Sequence, residues 1–322
     1  RRKHKINMDL NNININNLKS VYFIGIGGIG VSALALWCIE NNISVYGYDR
    51  EESQITKKIE SIGGKIFYEY EKSINTNTLH FDIISCFNNC EDIVVYSSAI
   101  KSNHPLLKYF QSINSFCIKR SKFLGLISKD YDVIAVAGTH GKTTISTMLT
   151  HILKQNNIDC TSFLGGISNN YNSNFILGKS KYMVIEADEF DRSFLSLSPK
   201  IILISSMDRD HSDTYSTYSD MCNAYLKFIK NSESNLSCLI VHQCLNLDIN
   251  DKIRTVNYSL NKESNYTLKF KKIENNNLAI SLLKFDKKEN LLLKSKDFKV
   301  PVHPTHNLEN FLAASVVAIE MG

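Results

Sequence analysis

Residues 133–137 form an apolar run, Val133-Ile134-Ala135-Val136-Ala137. It breaks into Gly138-Thr139-His140-Gly141, then into Lys142-Thr143-Thr144 and a helical pattern over 145–153. An apolar run bounded by glycine reads as a buried strand. Strand, glycine turn and helix N-terminus together make an anion cradle, because loop N–H groups and the positive end of the helix dipole converge on phosphates. Lys142 is placed to reach the terminal phosphates of a nucleotide, and Thr143 to offer a hydroxyl to Mg²⁺. The general phosphate-loop pattern asks for a further Gly where this chain has Val136.

The same rhythm of strand and helix runs along most of the 322 residues, a length sufficient for two cores. Strands are expected at 20–25, 43–48, 65–68 and 93–99, with helices at 31–40, 53–61, from Pro105, and at 123–128. Further strands are expected at 182–186, 201–205 and 237–242, with helices at 218–230 and 307–321. Strands alternating with helices imply a parallel sheet covered on both faces. Between 255 and 302 the pattern becomes short strands broken by Asn and Lys, which suggests a small antiparallel appendage. The expected organisation is a basic, Asn-rich leader over 1–19, a Rossmann-like domain over 20–120, and a phosphate-loop α/β domain carrying the appendage over 121–322.

Composition narrows the partners. Charged residues make up 21% and the net charge is +5, without a basic stripe interleaved with aromatics, so nucleic-acid binding has no footprint here. No apolar run approaches the ~20 residues of a membrane span, and the basic start has no apolar segment behind it to make a secretory signal. Eight cysteines show neither C-x-x-C pairs nor zinc spacing. A reducing cytoplasm is the compartment they suggest.

Three further clusters carry chemistry. Gly25, Gly27 and Gly30 fit G-x-G-x-x-G between a strand and a helix, with Gly28 inside the loop and Asp49 closing the next strand. This is the dinucleotide-binding fingerprint, and NAD or a UDP-sugar would be served equally by its backbone donors. Glu186-Ala187-Asp188-Glu189-Phe190-Asp191 ends an apolar strand, so Glu186 is expected to face the Gly138–Lys142 loop and hold Mg²⁺. His211, among carboxylates in Asp208-Arg209-Asp210-His211-Ser212-Asp213, is a candidate for a metal or phosphate role.

Taken in order, these motifs resemble the Mur ligases, the amide-forming ligases of bacterial cell-wall precursor synthesis. The resemblance rests on Gly25 to Gly30, Tyr96-Ser97-Ser98-Ala99-Ile100, Ala137 to Thr144, Gly165-Gly166, Glu186 to Phe194, Asp210 to Tyr215, and His306-Asn307-Leu308-Glu309-Asn310. It covers nearly all of the chain beyond the leader, and within the family it favours the branch that joins L-alanine to UDP-N-acetylmuramate. It implies that the first unit binds the UDP end of that substrate through Gly25, Gly27, Gly28, Gly30, Asp49, Ser97 and Ser98. It implies that the second unit binds ATP through Gly138, Thr139, His140, Gly141, Lys142, Thr143 and Thr144, with His306, Asn307 and Asn310 near adenine and ribose. Thr143, Glu186 and His211 would hold Mg²⁺, and Lys142, Glu186 and His211 would serve the reaction. The expected chemistry is phosphorylation of the sugar's lactyl carboxylate by ATP, then attack of the alanine amine on the acyl phosphate. Ser206 and Thr305 stand where relatives often carry Asn and Arg. Family members have a third, C-terminal α/β domain, and this chain is expected to stop short of it.

Overall fold

The computed structural model describes residues 13–69, 79–87, 91–208, 214–261, 263–272, 277–286, 288–301 and 305–322. They fall into two compact units. One comprises Arg1–Lys129 with Asn169–Leu177, the other Asp130–Ser168 with Gly178–Gly322.

In the first unit, five strands alternate with helices: β1 (Ser20–Ile24), α1 (Ile29–Glu40), β2 (Ser44–Tyr48), α2 (Gln54–Ser61), β3 (Lys65–Phe67), α3 (Leu79–Ser85), β4 (Asp92–Tyr96), α4 (Pro105–Ser112), β5 (Cys117–Lys119) and α5 (Arg120–Ile127). The sheet order is β3-β2-β1-β4-β5, all parallel. Four of the five β1 residues are buried, as a central strand covered on both faces requires. On one face Tyr22 packs against Phe110 and Phe87, with ring centroids 4.8 Å and 5.8 Å away. On the other, Phe23 meets Phe123 of α5 edge-on at 6.2 Å. That packing keeps α5, which the sequence reading places after residue 120, within the first unit. Leu18, read as leader, is buried too. Because β2 lies on one side of β1 and β4 on the other, the strand order reverses beside β1, where such sheets open a crevice at their carboxyl ends.

The second unit begins with β6 (Asp132–Ala137), α6 (Lys142–Gln155) and β7 (Thr161–Ser168). After the excursion that carries β8 (Ser173–Ile176) come β9 (Tyr182–Glu186), a 3₁₀ segment (Phe190–Ser196), β10 (Ile201–Ile204), α7 (Tyr218–Ser232), β11 (Cys238–His242) and β12 (Thr255–Tyr258). The remaining elements are β13 (Tyr266–Lys272), β14 (Asn277–Phe285), β15 (Leu291–Lys294), β16 (Phe298–Pro301) and α8 (Thr305–Glu320). From β7 the order runs β7-β9-β6-β10-β11-β12-β13-β14-β15, with β16 also on β14. Pairing is parallel as far as β13 and antiparallel beyond it. The appendage therefore begins later than 255: β12 pairs parallel to β11 and extends the main sheet. Ile145, Leu149 and Leu153 of α6 share one core with Ile134 and Val136 of β6 and Leu312 and Val316 of α8. Val136 is fully buried, which is where a side chain at that position belongs. Among the described residues no helix is long and apolar enough to cross a membrane.

Candidate functional site

The glycine loop over 138–141 joins β6 to α6 at the carboxyl end of the sheet. Its two glycines have left-handed backbones, Gly138 at φ +128° and Gly141 at φ +82°. A Cβ on Gly138 would come within 2.9 Å of the backbone nitrogens of both Ser205 and Ser206. Gly141 is the N-cap of α6 and brings no side-chain acceptor, so the first-turn N–H groups have no such cap. The loop is tied to the end of β10 by the Thr139 N–H donating to the Ser206 carbonyl at 3.0 Å and the His140 N–H donating to Ser206 Oγ at 2.9 Å. Ser206 thus supplies the loop with a side-chain acceptor. The Thr139 hydroxyl donates to the Asp208 carbonyl at 3.1 Å and accepts from the Asp208 N–H at 2.9 Å.

Lys142 and Thr143 each meet one carboxylate from the acidic run that begins with the last residue of β9. Thr143 Oγ1 donates to Glu186 Oε1 at 3.0 Å, and the Gly165 N–H of β7 donates to Glu186 Oε2 at 2.8 Å. A Cβ on Gly165 would run into that carboxylate, so glycine is what lets β7 approach it. Burial pushes the Glu186 carboxyl above the ordinary carboxylate range, while the Thr143 hydroxyl, the Gly165 N–H and the charge of Lys142 pull it part of the way back. Lys142 Nζ donates to both oxygens of Glu189 at 2.9 Å and to the Gly138 carbonyl at 2.8 Å. The Lys142 side chain is 12% exposed and that of Glu189 0%. Removing one partner of so buried a pair costs roughly 3–5 kcal/mol.

Beside the loop lies a cavity of about 630 Å³, lined by His140, Gly141, His242, Tyr258, His306 and Asn310 among others. That volume is in the range of small-molecule sites. A Cβ on Gly141 would come within 2.5 Å of Asn310 Oδ1, which places α8 against the loop. His306 and Asn310 thus reach the cavity, whereas the half-buried Asn307 is not among its lining residues. Thr144 is exposed on the first turn of α6. His211 lies outside the described residues. A hard divalent cation suits the Thr143 hydroxyl and the Glu186 carboxylate, since Mg²⁺ takes one or two carboxylates and completes its shell with phosphates and water. Among the described residues no group of three or more His, Cys, Asp or Glu is arranged to hold a metal.

In the first unit, Gly25 has φ +82°, and Gly28 is an N-cap of α1 without a side-chain hydrogen bond. Ser97 sits against the loop, 3.4 Å from where a Gly25 Cβ would be, and Ser98 follows it, half-buried. Asp49 acts on the loop itself: its Oδ2 accepts from the Gly27 N–H at 2.6 Å and its Oδ1 from the Arg50 N–H at 2.7 Å. Arg120 is a residue that motif reading missed. A Cβ on Gly30 would lie 2.7 Å from Arg120 Nη1 and 3.0 Å from its Cζ, so the guanidinium rests on the third fingerprint glycine. The one local signal was a basic residue following the short strand 117–119.

Comparison with known proteins identifies the family of both units. A family model described as the Mur ligase middle domain matches residues 136–318, and one described as the Mur ligase family, catalytic domain, matches residues 20–132. The UDP-N-acetylmuramate–L-alanine ligase of Christiangramia forsetii is 34% identical over 309 residues, covering 96% of this chain and 64% of its own length. That of Cytophaga hutchinsonii is 42% identical over 226 residues, 68% of this chain and 47% of its own. The chain thus spans between 47% and 64% of the length of these two relatives. Among solved structures, UDP-N-acetylmuramate:L-alanyl-gamma-D-glutamyl-meso-diaminopimelate ligase from Neisseria meningitides superposes with a TM-score of 0.78 at 18% identity, covering 95% of this chain and 94% of that one. UDP-N-acetylmuramate-alanine ligase from Thermotoga maritima gives 0.73 at 24% identity, covering 94% and 65%. At these identities the structural likeness speaks for the fold.

Proposed function

This chain belongs to the Mur ligase family, and on that premise we propose that it serves the ATP-dependent joining of L-alanine to UDP-N-acetylmuramate. The observation that carries the reading is the Thr143–Glu186 hydrogen bond beside Lys142, at the end of a glycine loop that opens onto the 630 Å³ cavity.

In this reading the nucleoside of ATP occupies that cavity beside His306 and Asn310, and its phosphates lie over the Gly138–Gly141 loop. Lys142 brings a cation to the β- and γ-phosphates. Thr143 and Glu186, with His211, would hold Mg²⁺, which supplies charge neutralisation for the transferred phosphoryl group. The first unit takes the UDP end, its diphosphate over the loop of Gly25 to Gly30 and the N-terminus of α1, with Arg120 as a cationic partner. The lactyl carboxylate oxygen attacks the γ-phosphorus and ADP leaves. The alanine amine then adds to the acyl phosphate, and the tetrahedral adduct expels phosphate and loses a proton to leave the amide. No enzyme nucleophile is needed. The protein's contribution is orientation and electrostatic stabilisation.

Calorimetry on the purified chain tests the assignment. One saturable site is expected for MgATP and a separate one for UDP-N-acetylmuramate, with Lys142→Ala weakening only the first. Failure of the unaltered chain to bind MgATP would refute the reading. Phosphate release requiring ATP, the sugar nucleotide and L-alanine together tests the ligation step.

A further inference from the structure

Lys142 has three N–H donors, and all three are in use: one on the Gly138 carbonyl and two on the carboxylate oxygens of Glu189. A terminal phosphate approaching this ammonium finds no donor available. It must displace an acceptor, and two of the three places belong to one anion. We propose that Glu189 is an internal competitor of the nucleotide: its carboxylate takes the place of a terminal phosphate on Lys142 until the nucleotide displaces it. This rests on the assignment of the loop to ATP.

The surroundings of Glu189 make lysine, not the carboxylate, the partner that moves. The Glu189 carbonyl accepts from Tyr215 OH at 2.7 Å. The next residues but one, Asp191 and Arg192, hold left-handed backbones at φ 51° and 54°. Such residues cost about 1–3 kcal/mol each and persist only where the surroundings hold them. Here Arg192 Nη2 donates to both oxygens of Asp220, at 2.7 Å and 2.9 Å, and its guanidinium lies 5.2 Å from the centre of the Tyr215 ring. The segment that presents Glu189 is therefore pinned at both its carbonyl and its exit. Lys142, by contrast, is carried on a flexible four-carbon stem at the start of α6. Glu186 is not the competitor, since its oxygens are taken by Thr143 and Gly165. The consequence is an apparent nucleotide affinity lowered by the fraction of molecules in which Lys142 has left Glu189.

The test is a binding cycle on the full chain, read by calorimetry with MgATP and with AMP. Glu189→Gln keeps the side-chain shape and removes the competing charge. MgATP is expected to bind about tenfold more tightly, or ~1.4 kcal/mol, while AMP, which has no terminal phosphates, is unchanged. In a Lys142→Met background the same substitution should change MgATP affinity less than threefold. Equal or weaker MgATP binding by Glu189→Gln overturns the proposal, and so does a gain that survives in Lys142→Met, which would trace it to general repulsion of the phosphates. If Glu189→Gln does not fold, Glu189→Asp, one methylene too short to hold both donors, should give a smaller gain of the same sign. Unaltered protein that binds no MgATP overturns the nucleotide assignment as well, whereas normal binding with an unresponsive Glu189 overturns only the competition.

Discussion

Gly138 leaves no room for a side chain, and that is what brings the phosphate loop close to the end of β10. Its φ of +128° and the backbone nitrogens 2.9 Å from its missing Cβ both act against any substitution. Gly138→Ala is expected to cost at least ~1–3 kcal/mol of stability, read as a lowered urea midpoint, and to weaken MgATP binding. Thr143 illustrates a different dependence. Its hydroxyl satisfies one oxygen of a buried carboxylate, so Thr143→Val, nearly isosteric, strands Glu186 Oε1 at a cost of about 1–3 kcal/mol. Thr143→Ser should restore most of it, and thermal melts of the pair distinguish hydroxyl from methyl. Lys142→Ala is expected to lower turnover at least ~100-fold in a phosphate-release assay, by analogy with losing one electrostatic stabiliser. At this scale the sequence was informative where a motif names an atom with a job. Glu186 faces the glycine loop as its place at the end of a strand implied and bonds Thr143, whereas Lys142 is held by Glu189. Arg120 did not show, because nothing near it in sequence records that its guanidinium would rest on Gly30.

Among the elements, α6 carries most of the load between site and core. Its polar first turn forms the loop's far wall, and its apolar stripe, Ile145, Leu149 and Leu153, packs under β6 and against α8. Leu149 is fully buried, so Leu149→Ala should cost about 2–5 kcal/mol, measurable as a fall in melting temperature with the phosphate-loop residues intact. The other end of α8 is locked differently. Glu320, 2% exposed, pairs with Arg254 and with Lys284 at 3.1 Å and accepts from Tyr266 OH. Burial pushes its carboxyl up, but the Tyr266 hydroxyl, Lys284 and Arg254 outweigh that and hold it below the usual range. A depressed carboxyl stabilises the fold fully above its unfolded value, ~4.3, and loses that contribution as pH falls through its folded value. Glu320→Gln should therefore lower the urea midpoint near neutrality and flatten its decline toward about pH 3. Element existence was legible wherever a buried run or a helical period was long. β7 is hidden in the sequence, since Gly165-Gly166, which lets the strand approach Glu186, breaks its apolar run. The parallel pairing of β12 could not be told from its period-two pattern, which is indifferent to the direction of the neighbouring strand.

For the molecule as a whole, two compact units carry two glycine loops of different design. The first ends in a helix whose N-terminus has Arg120 beside it, the second in a helix that begins with Lys142. Arg120→Ala should weaken UDP-N-acetylmuramate binding about tenfold, the value of one charge-assisted contact, and leave MgATP binding in the absence of the sugar nucleotide unchanged. Calorimetric titration of each ligand alone checks this, and loss of both affinities would show a general effect on folding. The sequence by itself determined the α/β architecture and the two glycine loops. Those depend on local matters: buried runs, helical periods, and glycines where the backbone must turn left-handed. Tertiary structure decided which charges meet. Glu186 and Glu189 stand three residues apart in one acidic run, where the end of the apolar strand marks Glu186 but nothing marks Glu189 as the partner of Lys142. The end of β9 gives one to Thr143 and Gly165, and the turn after it gives the other, without solvent exposure, to Lys142. An ion pair 47 residues apart in sequence is a property of packing, because only a shared low-dielectric site makes the two charges depend on each other.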